Sequence, residues 1–252
     1  MATAISGLRS ILGSELKLSL RTFAICVEDK GMNGQEKVLL DAEPGQAVYN
    51  RLTLSLYDSM VLGFSNYFAW RCPSANLLEL YNRNLSASHL EMGVGTGYFL
   101  DHCTPAVRLE KLTLLDLNPT CLDYTAGRLR RYQPRSLRHN ALEPFPLDSQ
   151  QFGSVGLNYL LHCMPGSPEQ KGVVFDHVKA VLAEVGVCFG STIVNNGGES
   201  RLGGLLKMIY NRKGIFSNLK DTADAWIEQL EARFRRVQTQ EIGAVLLFSA
   251  RD

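Results

Sequence analysis

The hydrophobic pattern of the chain alternates between short apolar runs and stretches with apolar residues three and four positions apart, the mark of strands alternating with helices. The run His89-Leu90-Glu91-Met92 leads into glycines at alternate positions, Gly93, Gly95 and Gly97, and an aromatic-apolar segment follows. This predicts a strand, a tight turn and the start of a helix. Lys111 to Leu117 reads as a second strand, with Asp116 near its end. Asn118-Pro119 then caps a helix carrying Cys121, Leu122 and Leu129. A third strand is expected near Ser136–Asn140, and Phe152 to Leu161 forms a fourth, nearly continuous apolar run.

Ser167-Pro168 with Gln170 has the form of a capping box for a helix running through Leu182. Gly186 breaks the chain, and Val187 to Val194 is a fifth strand. Asn195 to Asn218 departs from the pattern: it is polar and glycine-rich, with a short helical piece at Leu205–Tyr210. A loop of that length is usually functional or mobile. Asp221 to Phe234 predicts an amphipathic helix, and Val237–Ile242 and Ala244–Ala250 an antiparallel pair joined at Gly243. Together these elements predict an α/β fold: a Rossmann-like, seven-stranded, mostly parallel sheet with an antiparallel last strand and helices on both faces.

Ahead of the glycine turn, Gln46 to Trp70 is helical in pattern and rich in aromatics, among them Tyr49, Tyr57, Phe64, Tyr67, Phe68 and Trp70. Two readings stay open, core packing or a wall over a small-molecule pocket. Residues 1–45 form an N-terminal extension whose pattern suits a lid, an oligomer contact or a flexible arm. The domain proper is expected over 46–252, with 195–218 as a lid-like insertion. Within it, Tyr210 to Phe216 offers two aromatics, two cations and a glycine hinge, and reads equally as an exposed loop with a basic tip.

Composition narrows the ligand. The 252 residues carry 26 basic and 25 acidic side chains, for a net charge of +1. That gives no global field for nucleic acid or an anionic membrane. No apolar run approaches the roughly 20 residues of a membrane span. Six widely spaced cysteines lack zinc spacing and suit reduced thiols in a cytoplasmic protein, either monomer or homodimer.

Alternate glycines after a strand suit a nicotinamide dinucleotide or S-adenosylmethionine. The dinucleotide fingerprint G-x-G-x-x-G wants its third glycine where this chain has Tyr98, so it fails. Glu91, before the turn, would repel a pyrophosphate but suits a free ammonium. Asp116 can accept from a ribose diol.

These residues, Glu91-x-Gly93-x-Gly95-x-Gly97 followed by Asp116, resemble the class I S-adenosylmethionine-dependent methyltransferases over roughly residues 46–252. Asn140-Ala141 after the third strand and the fourth strand leading into His162 extend the likeness. The resemblance implies that Glu91 and the Gly93–Gly97 backbone hold the methionine end of S-adenosylmethionine. It places Asp116 on the ribose, with Leu117, Asn140 and Ala141 near the adenine, and Asn158, Tyr159 and His162 by the sulfonium. Asn140 departs from the acid many members carry there. Tyr57, in a Tyr57-Asp58 pair, is a candidate cover for the cofactor.

Methyl transfer from a sulfonium needs alignment and exclusion of water, and a base only if the acceptor must lose a proton. His162 is the candidate base, and His89 reads as core. The residues suggest no metal site, so metal-independent transfer is expected, releasing S-adenosylhomocysteine. The fourth strand lacks the Asn/Asp-Pro-Pro-Tyr of enzymes that methylate base amines. A small apolar or aromatic acceptor fits, with Tyr49, Phe64, Trp70 and Tyr210 as candidate walls, and the layout is similar to methyltransferases of secondary metabolism. Two alternatives remain at this stage: a methyltransferase-like enzyme running a pericyclic or elimination step with bound cofactor, and a non-catalytic partner protein.

Overall fold

The computed structural model describes residues 58–147 and 152–252, all within the unit Leu40–Asp252. Tyr49, Tyr57 and the 1–45 extension lie outside the described residues. The first described element is a π-helix, Asp58–Ala69. The α-helices are α1 (Ser74–Asn84), α2 (Tyr98–His102), α3 (Pro119–Arg128), α4 (Pro168–Lys171), α5 (Val173–Val181), α6 (Arg201–Arg212) and α7 (Ala223–Glu231). The strands are β1 (Ser88–Met92), β2 (Lys111–Asp116), β3 (Arg135–Arg138), β4 (Phe152–Asn158), β5 (Leu182–Ile193), β6 (Arg236–Ile242) and β7 (Val245–Arg251).

The strands form one sheet in the order β3-β2-β1-β4-β5-β7-β6. β1 to β5 run parallel, and β7 enters antiparallel between β5 and β6. The closing hairpin is therefore as the sequence predicts. The sheet order reverses at β1, where the chain crosses from β3 over to β4. In open α/β sheets, such a switch point opens a crevice at the carboxyl ends of the strands.

Alternation along the strands divides the core. Leu90 and Met92 of β1 join Val155 and Leu157 of β4 on one face, under Val174, Phe175 and Val178 of α5 and Trp226 of α7. Leu112 and Leu114 of β2 and Phe189 of β5 face the other way, under Leu77 and Tyr81 of α1, Phe99 of α2 and Leu122 of α3. The caps behave as the sequence indicates. Asn118 Oδ1 accepts from Thr120 N at 2.8 Å with Pro119 in the first turn, and Ser167 and Gln170 complete a capping box.

Three boundaries differ from expectation. β4 stops at Asn158, because Tyr159 takes a left-handed φ of +58° and the chain turns into a 3₁₀ segment, Leu161–Cys163. The helix expected to run through Leu182 breaks at Gly172, where a Cβ would stand 2.4 Å from Gln229 Oε1 of α7. β5 begins at Leu182 rather than Val187. Its pairing with β4 steps from Phe152↔Leu182 to Ser154↔Val187, an irregularity that absorbs Gly186.

Beyond β5, the 195–218 segment is anchored by a buried ion pair. Lys171 Nζ lies 2.8 Å from Asp221 Oδ2 and 2.9 Å from Oδ1, and donates to Ser217 O at 2.6 Å. Neither side chain of the pair is exposed. Removing one partner strands the other charge in the core, so Lys171→Met alone is expected to cost about 3–5 kcal/mol. The double variant Lys171→Met/Asp221→Leu should recover most of that loss. Urea unfolding of both variants checks this, and a double variant as unstable as the single one would count against it.

Candidate functional site

The glycine turn opens the crevice at the switch point. Gly93, Gly95 and Gly97 all have positive φ, at +69°, +52° and +70°. That conformation penalises any residue carrying a Cβ. A Cβ at Gly97 would stand 2.7 Å from Thr125 Cγ2, and one at Gly93 2.8 Å from Leu160 Cδ1. At Gly95 nothing lies within 4 Å. The first and third glycines thus also serve packing, while the middle one leaves open space above the backbone.

Around this turn runs a cleft lined by Glu91, the 93–97 backbone, Asp116, Leu117, Asn140, Ala141, Asn158 and Tyr159. These cofactor-contact candidates chosen from the sequence therefore border one cavity. Asp116 sits at the end of β2, where its Oδ2 accepts from Val94 N at 2.9 Å and its Oδ1 from Asn118 N at 2.8 Å. Burial pushes its carboxyl up to about 6, against the pull of these N–H groups. Asn140 forms an Asx turn, its Oδ1 accepting from Leu142 N at 3.1 Å, and this presents Ala141 to the cleft.

Asn158 is buried at 7% exposure. Its Oδ1 accepts from Ser191 Oγ, and its Nδ2 has no partner within the protein. Tyr159 is held in its left-handed conformation by two bonds: its N donates to Ser191 O at 2.8 Å and its hydroxyl to Asn66 Oδ1 at 3.0 Å. Strain of this kind persists only where the surroundings enforce it.

His162 does not line this cleft. Its Nδ1 accepts from Ile193 N at 3.3 Å, which leaves the ring hydrogen on Nε2. Full burial, aided by Lys171, pushes its imidazolium down to about 3. The neutral ring carries its hydrogen on Nε2, where it can donate. Phe216 packs edge-on against it at 4.5 Å, and Trp70 and Tyr210 lie 5.9 and 5.0 Å from the same Phe216 ring. Two of the proposed walls, Trp70 and Tyr210, thus meet around a third aromatic. Phe64 does not join them: it is 46% exposed and pairs with Phe68 at 4.8 Å.

Gly214, the expected hinge, has φ +70° and closes α6, its N bonding to Asn211 O. Ile215 and Phe216 are consequently tucked in, each donating its N–H to Tyr210 O. The cleft also includes Tyr81, Asn118, His139, Leu160, Cys163 and Met164, which periodicity alone does not single out for a ligand. Tyr81 is visible in the sequence only as part of an apolar helix face.

Residues 90–190 match the family model described as a methyltransferase domain. The chain is 42% identical over 207 residues to the demethylluteothin O-methyltransferase of Streptomyces thioluteus, covering 82% of this chain and 90% of that relative. The chain belongs to the S-adenosylmethionine-dependent methyltransferases. The methyltransferase is also 41% identical over 215 residues to the physcion biosynthesis cluster O-methyltransferase of Aspergillus chevalieri, covering 84% and 96% of the two chains. Among solved structures, a DhpI–SAH complex superposes with a TM-score of 0.60 at 16% identity, over 83% of this chain and 96% of that one. That match confirms the shared fold.

The cleft of this methyltransferase fits S-adenosylmethionine by its own chemistry. It offers acids at Glu91 and Asp116 for an ammonium and a diol, an unpartnered buried amide at Asn158, and open space over Gly95. Gly97→Ala, like Gly93→Ala, combines a forced φ with a clash and should cost about 1–3 kcal/mol or more. Gly95→Ala meets only the backbone penalty, about 1–2 kcal/mol. Denaturant melts of the two variants compare them directly, and equal losses would contradict the packing role assigned to Gly97.

Proposed function

We propose that this methyltransferase transfers a methyl group to an oxygen nucleophile on a small, apolar or aromatic natural-product-like acceptor, without a metal. The observation that carries this reading is the aromatic cluster of Trp70, Tyr210, Phe216 and His162 beside Tyr159, at the carboxyl ends of β4 and β5. The O-methyltransferase names of the two relatives at 41–42% identity support the choice of oxygen.

S-adenosylmethionine supplies an electrophilic methyl on a sulfonium. In the proposed arrangement, Glu91 and the Gly93–Gly97 backbone bind the ammonium and the methionine end. Asp116 takes the ribose diol, and Leu117, Asn140 and Ala141 flank the adenine. The free Nδ2–H of Asn158 donates to the amino-acid end. His162 presents Nε2–H as a neutral donor that orients the acceptor. The lid role belongs to the 195–218 segment, whose α6 docks on the π-helix through Ser200 N, which donates to Ala69 O at 2.9 Å.

Incubation with S-adenosylmethionine and a panel of phenols, amines and carboxylic acids, read by mass spectrometry, tests the activity. One added methyl on a hydroxylated aromatic, with S-adenosylhomocysteine released, is the expected result. An isomerised product without that mass gain would overturn the reading.

The role of Asp116 has a pH signature. A diol donates to the ionised carboxylate, so affinity should be full above about pH 7 and fall about tenfold per unit below the carboxyl's value near 6. Calorimetry of S-adenosylhomocysteine binding across that range should show the fall in the wild type. The slope should vanish in Asp116→Asn, and persistence of the same slope there would remove Asp116 from the role.

A further inference from the structure

We propose that Tyr81 and His89 are positioning residues for the cofactor's amino-acid end, acting through Glu91. The proposal rests on the reading above, in which Glu91 meets the cofactor's ammonium.

The period-two alternation of β1 puts His89 and Glu91 on the same face of the sheet, toward α1. The parallel register sets Ser154 of β4 beside His89, and Gly156 beside Glu91. From above, α1 brings Tyr81 down onto the same point. Glu91 Oε1 accepts from the Tyr81 hydroxyl at 2.5 Å, and Glu91 Oε2 lies 2.8 Å from His89 Nε2. Tyr81 and His89 are fully buried, and Glu91 is 5% exposed.

A carboxylate only accepts, so His89 Nε2 carries the hydrogen of this bond. On the other side of the ring, His89 Nδ1 is hydrogen-bonded to the Ser154 hydroxyl at 2.8 Å, whose oxygen accepts from Ser86 N at 3.0 Å. The Ser86 hydroxyl donates to Ser88 O at 2.7 Å. The chain of bonds thus starts on the main chain at Ser86 and ends on the carboxylate. The Ser154 hydroxyl also lies 3.0 Å from the Ser86 hydroxyl, which closes the network on the β4 side.

The rings cannot swing away. Tyr81 stacks on Phe99 at 5.5 Å, and both Tyr81 and His89 lie against Phe189, at 5.1 and 5.7 Å. Space for the arrangement comes from Gly156, where a Cβ would stand 2.6 Å from Glu91 Oε2 and 3.1 Å from His89 Cε1. With one protein donor on each oxygen, Glu91 keeps further lone pairs for a ligand. Both Tyr81 and Glu91 line the cleft. The carboxylate is held in one orientation before any ligand arrives, which removes an ordering cost from binding.

The test compares two probes by calorimetry: S-adenosylhomocysteine, and 5′-methylthioadenosine, which lacks the amino-acid end. Four proteins are measured: wild type, Tyr81→Phe, His89→Phe and His89→Gln. Tyr81→Phe and His89→Phe should each weaken S-adenosylhomocysteine about tenfold, the loss of one bond to a charged group. Binding of 5′-methylthioadenosine should stay within about twofold of wild type, since it makes no contact with Glu91. His89→Gln, which restores an N–H donor, should recover much of the loss. Equal weakening of both probes, or of neither, would overturn the proposal. Glu91→Gln separates the two layers of the argument. If it leaves the discrimination between probes unchanged, the Glu91 reading fails and takes this proposal with it. If it abolishes the discrimination while Tyr81→Phe and His89→Phe do not, the Glu91 reading stands and the positioning role is lost.

Discussion

A carboxylate buried at the end of the central strand is the constraint on which the rest of the site depends. Glu91 lies at 5% exposure, where an unpaired charge would be prohibitively costly. Donors therefore arrive from two directions, and a third element braces one of them. Tyr81 descends from α1, His89 stands two residues back on the same strand, and Ser154 supports His89 from the neighbouring one. Each donor imposes a requirement of its own. α1 must pack close over β1, β4 must run parallel in this register, and β4 must carry no side chain at position 156. The negative end of the cleft is thus set by how the sheet is assembled.

A second set of constraints works on the backbone. Three left-handed glycines bend the chain from β1 into α2, and a left-handed tyrosine bends it out of β4. The two turns face each other across the switch point, where Leu160 touches the position a Cβ at Gly93 would occupy. Conformations this costly are kept because neighbouring elements enforce them: Thr125 of α3 donates to Gly95 O, and Ser191 of β5 accepts from Tyr159 N. Both turns point main-chain groups into the cleft, which is how a fold of ordinary strands and helices presents a ligand surface.

Around Phe216, electrostatics and packing act together. The Lys171–Asp221 pair and the bond from Lys171 to Ser217 O pin the chain beside Phe216, and Ser217 N donates to His162 O. The same lysine adds to the burial that keeps His162 neutral. A glycine that looks like a hinge instead caps α6, because the helix runs on to Arg212 and its last carbonyls need partners. Aromatic rings therefore gather around Phe216, and the cations at Arg212 and Lys213 stay outside.

The sequence by itself determined the strand–turn–helix order, the Asn118 and Ser167 caps, the closing hairpin and ten of the residues that border the cleft. Each of these is written in spacing over a few residues: period two or near four, glycine where φ must be positive, an acid at a strand end. Only the tertiary structure decided what Glu91 and His162 meet. Glu91 meets Tyr81 ten residues away, and His89 leans on Ser154 sixty-five residues away. His162 takes its tautomer from Ile193, thirty-one residues on. Phe64 and Trp70 belong to one aromatic run, yet one is exposed and the other is buried against Phe216, because α6 docks at the end of the π-helix and covers only part of it. Local spacing fixes which way a side chain points along its own element. What it meets there depends on elements brought together from far along the chain.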